Sequence, residues 1–526
     1  MIYGSYQDNS PRLPMLALFL LASIYLLAGI TGHDPWKNED AVHIGIAHDF
    51  LAHGNWLFPR VAGEPWPHTA PLYHWVAAFL GYLLGGLLEF HNAARLATAL
   101  FGALYFIALA GAARAFHGAT AGRAAPLLAI GTLGLLLPIH EAQPAIAGLA
   151  FAALAYWGGG LILQGKAHGA LLLGLGLGLA FPAHGLVGLL MASAVLPAPI
   201  FRRDWKSLGL ALAIALPLIA AWPLMVSSRS PGLLAEWWQN EIAEATIMRG
   251  LPGVRHIEQL IWAAWPVLPL AILGFWTHRH RVNTLAVPLF GTVLTLLWYL
   301  TGSSRALGIL PLLLPLTLIA TAGIEHMRRG AANAFDWFGV ITFTFFSGLL
   351  WLGASAQALG WPPTIANNFR KLAPGHELHY PAIALIFAAL LSVAWVLSWR
   401  LPRATWRASL HWAAGTTLMW VLAAILLLPW YDHAKSYRPV VQSLRAALPP
   451  DVNCIERSKL NSGQLAALDY FSGIRTRPAA PGRKCAFRLT EDDKKNRNPP
   501  AGWTERWQGH RPGDRDERWY LDQRNE

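Results

Sequence analysis

Charge is scarce in this chain. Asp, Glu, Lys and Arg make up 13% of its 526 residues while 54% are hydrophobic, and the mean hydropathy is +0.36. That is about half the charge of a soluble enzyme, which excludes one and points to a polytopic membrane protein. Cysteine is rarer still. The two present, Cys454 and Cys485, both fall in the polar C-terminal tail, so a cysteine-rich metal scaffold is excluded, and one disulfide is open to the tail if it lies outside the cytoplasm. Internal repeats and nucleotide-binding glycine loops are also missing; GLGLGLAF at 174–181 reads as apolar helix. The net charge of +12 comes from short basic clusters between apolar runs. Cytoplasmic loops look like this under the positive-inside rule, so the charge is not a nucleic-acid footprint.

What is present is a series of apolar runs of about 20 residues, each long enough to cross a bilayer. They lie near 13–32, 93–113, 123–139, 144–164, 207–227, 258–276, 283–301, 305–324, 335–356, 380–398 and 408–430, with two shorter runs at 168–181 and 184–200 flanking Phe181-Pro182-Ala183-His184-Gly185. The first run ends in His-Asp-Pro-Trp rather than a small-residue cleavage site, which predicts a retained transmembrane helix. Basic segments at 202–206, 277–281, 326–330 and 399–407 can all be cytoplasmic at once. That sets 228–257, 357–379 and everything after 430 outside, with 71–89 re-entrant or interfacial and about thirteen crossings in all. The expected architecture is an α-helical polytopic membrane domain over 1–430. A small α/β domain outside the membrane follows over 431–526, with strands in DVNCIER and CAFRLT, a helix in QLAALDYF, and a charged end fraying after Asp492.

The polar residues of the membrane half gather in one external loop, 33–75. It holds Asp34, Glu39, Asp40, Asp49 and Glu64 with six histidines, and ionisable groups beside a bilayer mark a functional site. Asn38 to Gly54 reads as a helix with Asn38 as N-cap and Gly54 at its end, Val42, Ile46 and Phe50 forming an apolar face that would lie flat on the membrane. Glu39 and His43, at i and i+4, are neighbours on it. A carboxylate there can act as general base toward an acceptor hydroxyl, or simply complement the helix dipole. His43, His48 and His53, five apart, cannot converge on a metal from one helix; Glu39 with His43 would need a further ligand to hold a divalent ion.

Glu39-Asp40, Phe50-Leu51-Ala52, Gly54-Asn55-Trp56-Leu57-Phe58-Pro59-Arg60, Gly63-Glu64-Pro65 and Pro71-Leu72-Tyr73 with Trp75 resemble the external loop of bacterial dolichyl-phosphate-mannose-protein mannosyltransferase-like proteins. That family includes the aminoarabinose transferases that modify lipid A. Gly178-Leu179-Ala180-Phe181 with His184-Gly185, Trp265-Pro266, and Ser304-Arg305 with Leu310-Pro311 resemble its more distant landmarks.

The resemblance implies a C-type integral-membrane glycosyltransferase fold. It also implies a bacterial plasma membrane with 431–526 in the periplasm, and transfer of a sugar from a polyprenyl-phosphate carrier to a protein, lipid A or other glycolipid at that outer face. The family's catalytic Asp falls on Glu39, and Asp40 beside it is the alternative base. Its phosphate-side lysines fall on Thr69, next to His68, and on His184, which makes His68 and His184 candidate phosphate contacts and His43 a further substrate-binding candidate, and an Asp falls on Gln143. Arg305 offers a planar fork for phosphate oxygens, and Arg60 is a second candidate. A transporter or flippase for lipid-linked saccharides is the alternative; it would spread its polar residues through many helices and show paired inverted halves.

Overall fold

The computed structural model describes residues 14–526 apart from 246–252, 281, 303–305, 325, 377–379, 403, 405, 451, 453, 481–484, 494–496, 515 and 526. Among the described residues seven helices are long and apolar enough to cross a membrane, or up to nine if each of two bent pairs is one span. Shorter apolar helices, Met15–Leu27, Leu72–Leu84, Leu285–Thr301 and Ala382–Ser398, stand beside them. Large apolar side chains such as Phe19, Ile107, Phe345 and Ile386 point outward. In water that would be a liability; against lipid it is the expected outer surface.

Two expected spans are broken. Ala119–Ile130 bends by 69° into Leu133–His140, and Val254–Ala263 by 84° into Val267–His278. The runs at 168–181 and 184–200, by contrast, join into one helix, Gly169–Ser193, that is non-helical only at His184 and Gly185. Its glycines serve packing. A Cβ on Gly158 of the facing helix Pro144–Leu163 would stand 2.6 Å from the Gly169 carbonyl, so the two backbones touch as small-residue membrane interfaces allow.

The chain after Leu426 builds a second body. Helices Arg438–Ala447 and Ser462–Ser472 pack on a five-stranded sheet. Numbering strands along the whole chain, β1 (Arg60–Val61) and β2 (Glu64–Pro65) form a small hairpin in the external loop. The C-terminal sheet holds β3 (Ile455–Ser458), β4 (Arg477–Pro478), β5 (Phe487–Asp492), β6 (Trp503–His510) and β7 (Arg518–Arg524) in the order β4-β3-β5-β7-β6. Val441, Leu444, Ile455, Leu468, Leu489, Trp519 and Leu521 form its core, and Cys454 is bonded to Cys485.

Two expectations are corrected here. The segment after Asp492 does not fray: β7 pairs with both β5 and β6, and buries Trp519, Tyr520 and Leu521. The helix Asn38–His53 does not lie on a membrane surface either. Val42, Ile46 and Phe50 are buried, and so are Asp40 and Asp49 on other faces, because the helix is held between the membrane body and the C-terminal unit.

Candidate active site

The external loop is organised by its helix Asn38–His53, which Gly54 ends in the left-handed conformation at φ +71°. Lys37, not Asn38, occupies the N-cap position. The Asn38 side chain is used elsewhere: its Oδ1 accepts from the Gly463 amide at 2.7 Å and from Ser462 Oγ at 3.3 Å, both in the C-terminal unit.

The five loop acids have different fates. Arg438 donates to both oxygens of Asp34, at 2.6 and 3.0 Å. Arg475 reaches Asp49 at 3.0 Å, and Arg457 grips Glu64 at 2.6 and 2.9 Å. These three arginines all belong to the C-terminal unit. Asp40 is held from the membrane side, by Arg95 Nε at 3.0 Å, Arg95 Nη2 at 2.7 Å and the Ala142 amide at 2.8 Å. Burial alone would raise the Asp40 carboxyl, but the charge and hydrogen bonds of Arg95 hold it down at about 2. Arg95, itself fully buried, also donates to the His33 carbonyl at 2.8 Å.

Glu39 differs from the other four. Its described hydrogen bond is to a neutral amide, Gln143 Nε2, at 3.3 Å, and it opens on a cavity of about 710 Å³. The walls include Lys37 and Asn38 beside it, Glu141 and Gln143 after the first bent span, His184 at the helix break, and Glu244 of the external helix Pro231–Ala245. Trp262, Trp298 and Leu307 supply an apolar side. Lys37 and Glu141 form an ion pair. Burial raises the Glu141 carboxyl even though Lys37 pulls the other way.

His184 reaches the cavity because the helix breaks under it. Gly185 has φ +56°, and a Cβ there would stand 2.0 Å from Glu241 Oε2. The same oxygen accepts from the freed Leu186 amide at 2.8 Å. Helix Pro231–Ala245 therefore closes a backbone break at membrane depth, and burial pushes the Glu241 carboxyl up to about 7. Asn240 Nδ2 ties that helix to the external loop, donating to the Pro67 carbonyl at 2.8 Å.

The structure does not bring every candidate together. Asp40 is buried against Arg95 and is not among the described residues lining the cavity. His43 shares a 3.0 Å hydrogen bond with His74 Nε2 through its Nδ1, and burial lowers it to about 4, so it is neutral at physiological pH. His68 is exposed and stands edge-on to Trp66. Arg60 lies on β1, where Nε and Nη2 are 3.0 Å from the Asn55 amide oxygen in its hydrogen-bonding orientation. Neither His68 nor Arg60 is among the described residues lining the cavity, and Arg305 lies outside the described residues.

For a metal, Glu39 and His43 offer two donors with one imidazole nitrogen already engaged, short of the usual set. Among the described residues the triad with ligand atoms within 4.8 Å of one another is Asp34, Glu89 and His91, and Arg438 already binds both of its carboxylates. Sequence reasoning passed over Lys37, Arg95 and Glu141. The available signal for Arg95 was a lone arginine near the start of an apolar run, which requires a buried partner.

No family model matches the chain. It is 25% identical over 442 residues to the undecaprenyl phosphate-alpha-4-amino-4-deoxy-L-arabinose arabinosyl transferase of Pseudomonas aeruginosa (strain UCBPP-PA14), covering 79% of this chain and 76% of that protein. To the enzyme of the same description from Edwardsiella ictaluri (strain 93-146) it is 24% identical over 430 residues, covering 76% and 75%. ArnT from Cupriavidus metallidurans bound to undecaprenyl phosphate matches 97% of both chains with a TM-score of 0.70 at 16% identity, and the apo state gives 0.67. The chain thus has the C-type glycosyltransferase fold and is, in sequence, a relative of the undecaprenyl phosphate-aminoarabinose arabinosyl transferases.

Proposed function

We propose that this glycosyltransferase moves a sugar from a polyprenyl-phosphate donor to an acceptor hydroxyl at the periplasmic face, with Glu39 as general base. The observation that carries the assignment is the contrast among the loop acids. Four are bound by arginine, whereas the described partner of Glu39 is an amide and its carboxylate opens on the cavity. A carboxylate already saturated by a guanidinium, as Asp40 is, has little basicity left.

In the reaction the Glu39 carboxylate takes the acceptor hydroxyl proton as that oxygen attacks the anomeric carbon. The bond from that carbon to the phosphate oxygen breaks, its electron pair leaves with the polyprenyl phosphate, and the configuration inverts. The two carboxylates of Glu39 and Asp40 thus divide the work, one reactive and one structural. His184, in the cavity wall, remains a candidate contact for the donor.

The relatives carry undecaprenyl phosphate-linked aminoarabinose in their names, and that donor, with lipid A or another glycolipid as acceptor, is the pairing to test first. We assign residues 1–430 to the membrane transferase domain and 431–526 to a periplasmic domain. This reading is supported by the separate core of the C-terminal sheet and by its contact with the acid helix on the cavity side. Transfer is favoured over transport, as the relatives are transferases.

In membranes supplied with that donor and lipid A, Glu39→Gln is expected to lower transfer at least about a hundredfold, the usual weight of a general base, with normal accumulation of protein. Retained transfer in that variant would sink the assignment of the base.

A further inference from the structure

We propose that Lys37 binds the phosphate of the lipid-linked donor, exchanging its ion pair with Glu141 for one with the donor. This deepens the transferase reading and rests on it. A polyprenyl-phosphate sugar brings a negative charge into the cavity, and that charge grows on the phosphate oxygen when the sugar leaves. The transition state is therefore stabilised by a cation already in position.

Few groups qualify. Among the described residues lining the cavity, Glu39, Glu141 and Glu244 are carboxylates, and Lys37 is the one Lys or Arg. Arg95 cannot serve, being fully buried and committed to Asp40 and the His33 carbonyl. Arg60 and His68 lie outside that lining. The positions where the resemblance expects lysine carry Thr69 and His184, so neither supplies an ammonium, and Arg305 lies outside the described residues.

The placement suits the chemistry. Lys37 sits at the N-cap, two residues before Glu39, so the phosphate contact and the base leave the backbone within one turn. A shift of one carries the other. Its side chain is 37% exposed and that of Glu141 21%, which leaves both within reach of a ligand in the cavity. The backbone under Glu141 is fixed independently, its carbonyl accepting from Thr98 Oγ1 at 2.7 Å. The carboxylate can therefore swing away without disturbing the turn. Glu141 acts as a stand-in anion: it keeps the ammonium paired until a phosphate oxygen replaces it. When the glycosidic bond breaks, the electron pair arrives on the oxygen that faces Lys37.

The test uses the full-length protein in detergent with three ligands. These are undecaprenyl phosphate-linked aminoarabinose as donor, undecaprenyl phosphate, and undecaprenol, which lacks the phosphate. Lys37→Met is expected to raise the donor KM and weaken binding of undecaprenyl phosphate, each by about tenfold or more, the scale of one charge-assisted hydrogen bond. Undecaprenol binding is expected to stay within twofold. Lys37→Arg should recover most of the loss, and Glu141→Gln should tighten undecaprenyl phosphate binding by removing its competitor.

A Lys37→Met protein that keeps wild-type donor KM and wild-type preference for the phosphate over the alcohol overturns the proposal. Equal weakening of phosphate and alcohol also overturns it, since that is the signature of a merely structural residue. If the wild type transfers no sugar yet prefers the phosphate, and Lys37→Met loses that preference, the transferase reading falls and the phosphate site stands.

Discussion

Glu39 and Asp40 are neighbours in sequence, but successive helix residues point about 100° apart. That rotation sends one carboxylate into the cavity and the other against Arg95. The two should therefore fail differently. Asp40→Asn leaves the Arg95 guanidinium buried without its counter-charge, an expected loss of about 3–5 kcal/mol, to be read as a lower midpoint in detergent-solubilised thermal unfolding. Glu39→Gln should leave that midpoint unchanged. Asp40 also sets an acid limit. Its folded value of about 2 lies below the unfolded value near 4. Its contribution, about 2–3 kcal/mol, is thus complete above pH 4 and lost as pH falls toward 2. Tryptophan fluorescence across that range should show this loss in the wild type and its absence in Asp40→Asn. The sequence located the pair but could not choose between its members. The choice depends on which face of the helix meets Arg95, and that contact spans 55 residues.

At the scale of elements, the acid helix behaves as a piece clamped between two bodies. Helix Ser462–Ser472 runs along it, with Gly463 against Asn38, Ala466 against Gly45, and Tyr470 near His48. A Cβ on Gly463 would stand 2.7 Å from the Asn38 Cα, so Gly463→Ala must displace the turn that carries Lys37 and Glu39. A small misplacement of a reacting group can cost up to about a hundredfold in rate. We expect Gly463→Ala to lower kcat by at least about tenfold, measured by steady-state transfer, although residue 463 is not among the described residues lining the cavity. The helix itself was legible from the apolar spacing and from Gly54. Its surroundings were not, because Val42, Ile46 and Phe50 look like a membrane-facing stripe until the C-terminal unit is known to cover the rest. Likewise the density of acids in the loop marked a special place for a partly different reason: three of the five bind arginines of that unit.

For the whole molecule, the apolar runs were enough to read an α-helical membrane protein, since lipid imposes a length and a composition on each crossing. Among the described residues seven helices, or up to nine with the bent pairs, meet that length and composition against the about thirteen crossings expected. Bends and breaks were harder. Phe181-Pro182-Ala183-His184-Gly185 announced one of them through its Pro and Gly, and the break falls at His184 and Gly185. The last strands were missed because Trp503–His510 and Arg518–Arg524 carry many charged residues on a sheet with one wet face. The disulfide closes a separation of 31 residues between the approaches to β3 and β5. Replacing both cysteines by serine should cost the C-terminal unit about 3–4 kcal/mol of loop-closure stabilisation. Limited proteolysis should then cut 451–526 earlier than the membrane helices.

The clamp on the acid helix also imposes an order in time. Asn38 and Gly463 are 425 residues apart, and a ribosome adding about 5–20 residues per second needs at least some twenty seconds to cover that interval. Until then the turn bearing Lys37 and Glu39 is held from the membrane body alone, through Arg95, the Ala142 amide, Gln143 and Glu141, and Arg475, which seats Asp49, does not yet exist. Catalytic competence therefore arrives late in biosynthesis, as a property of the finished chain, and an interrupted product inserted in the membrane would have an unseated acid helix and be inert.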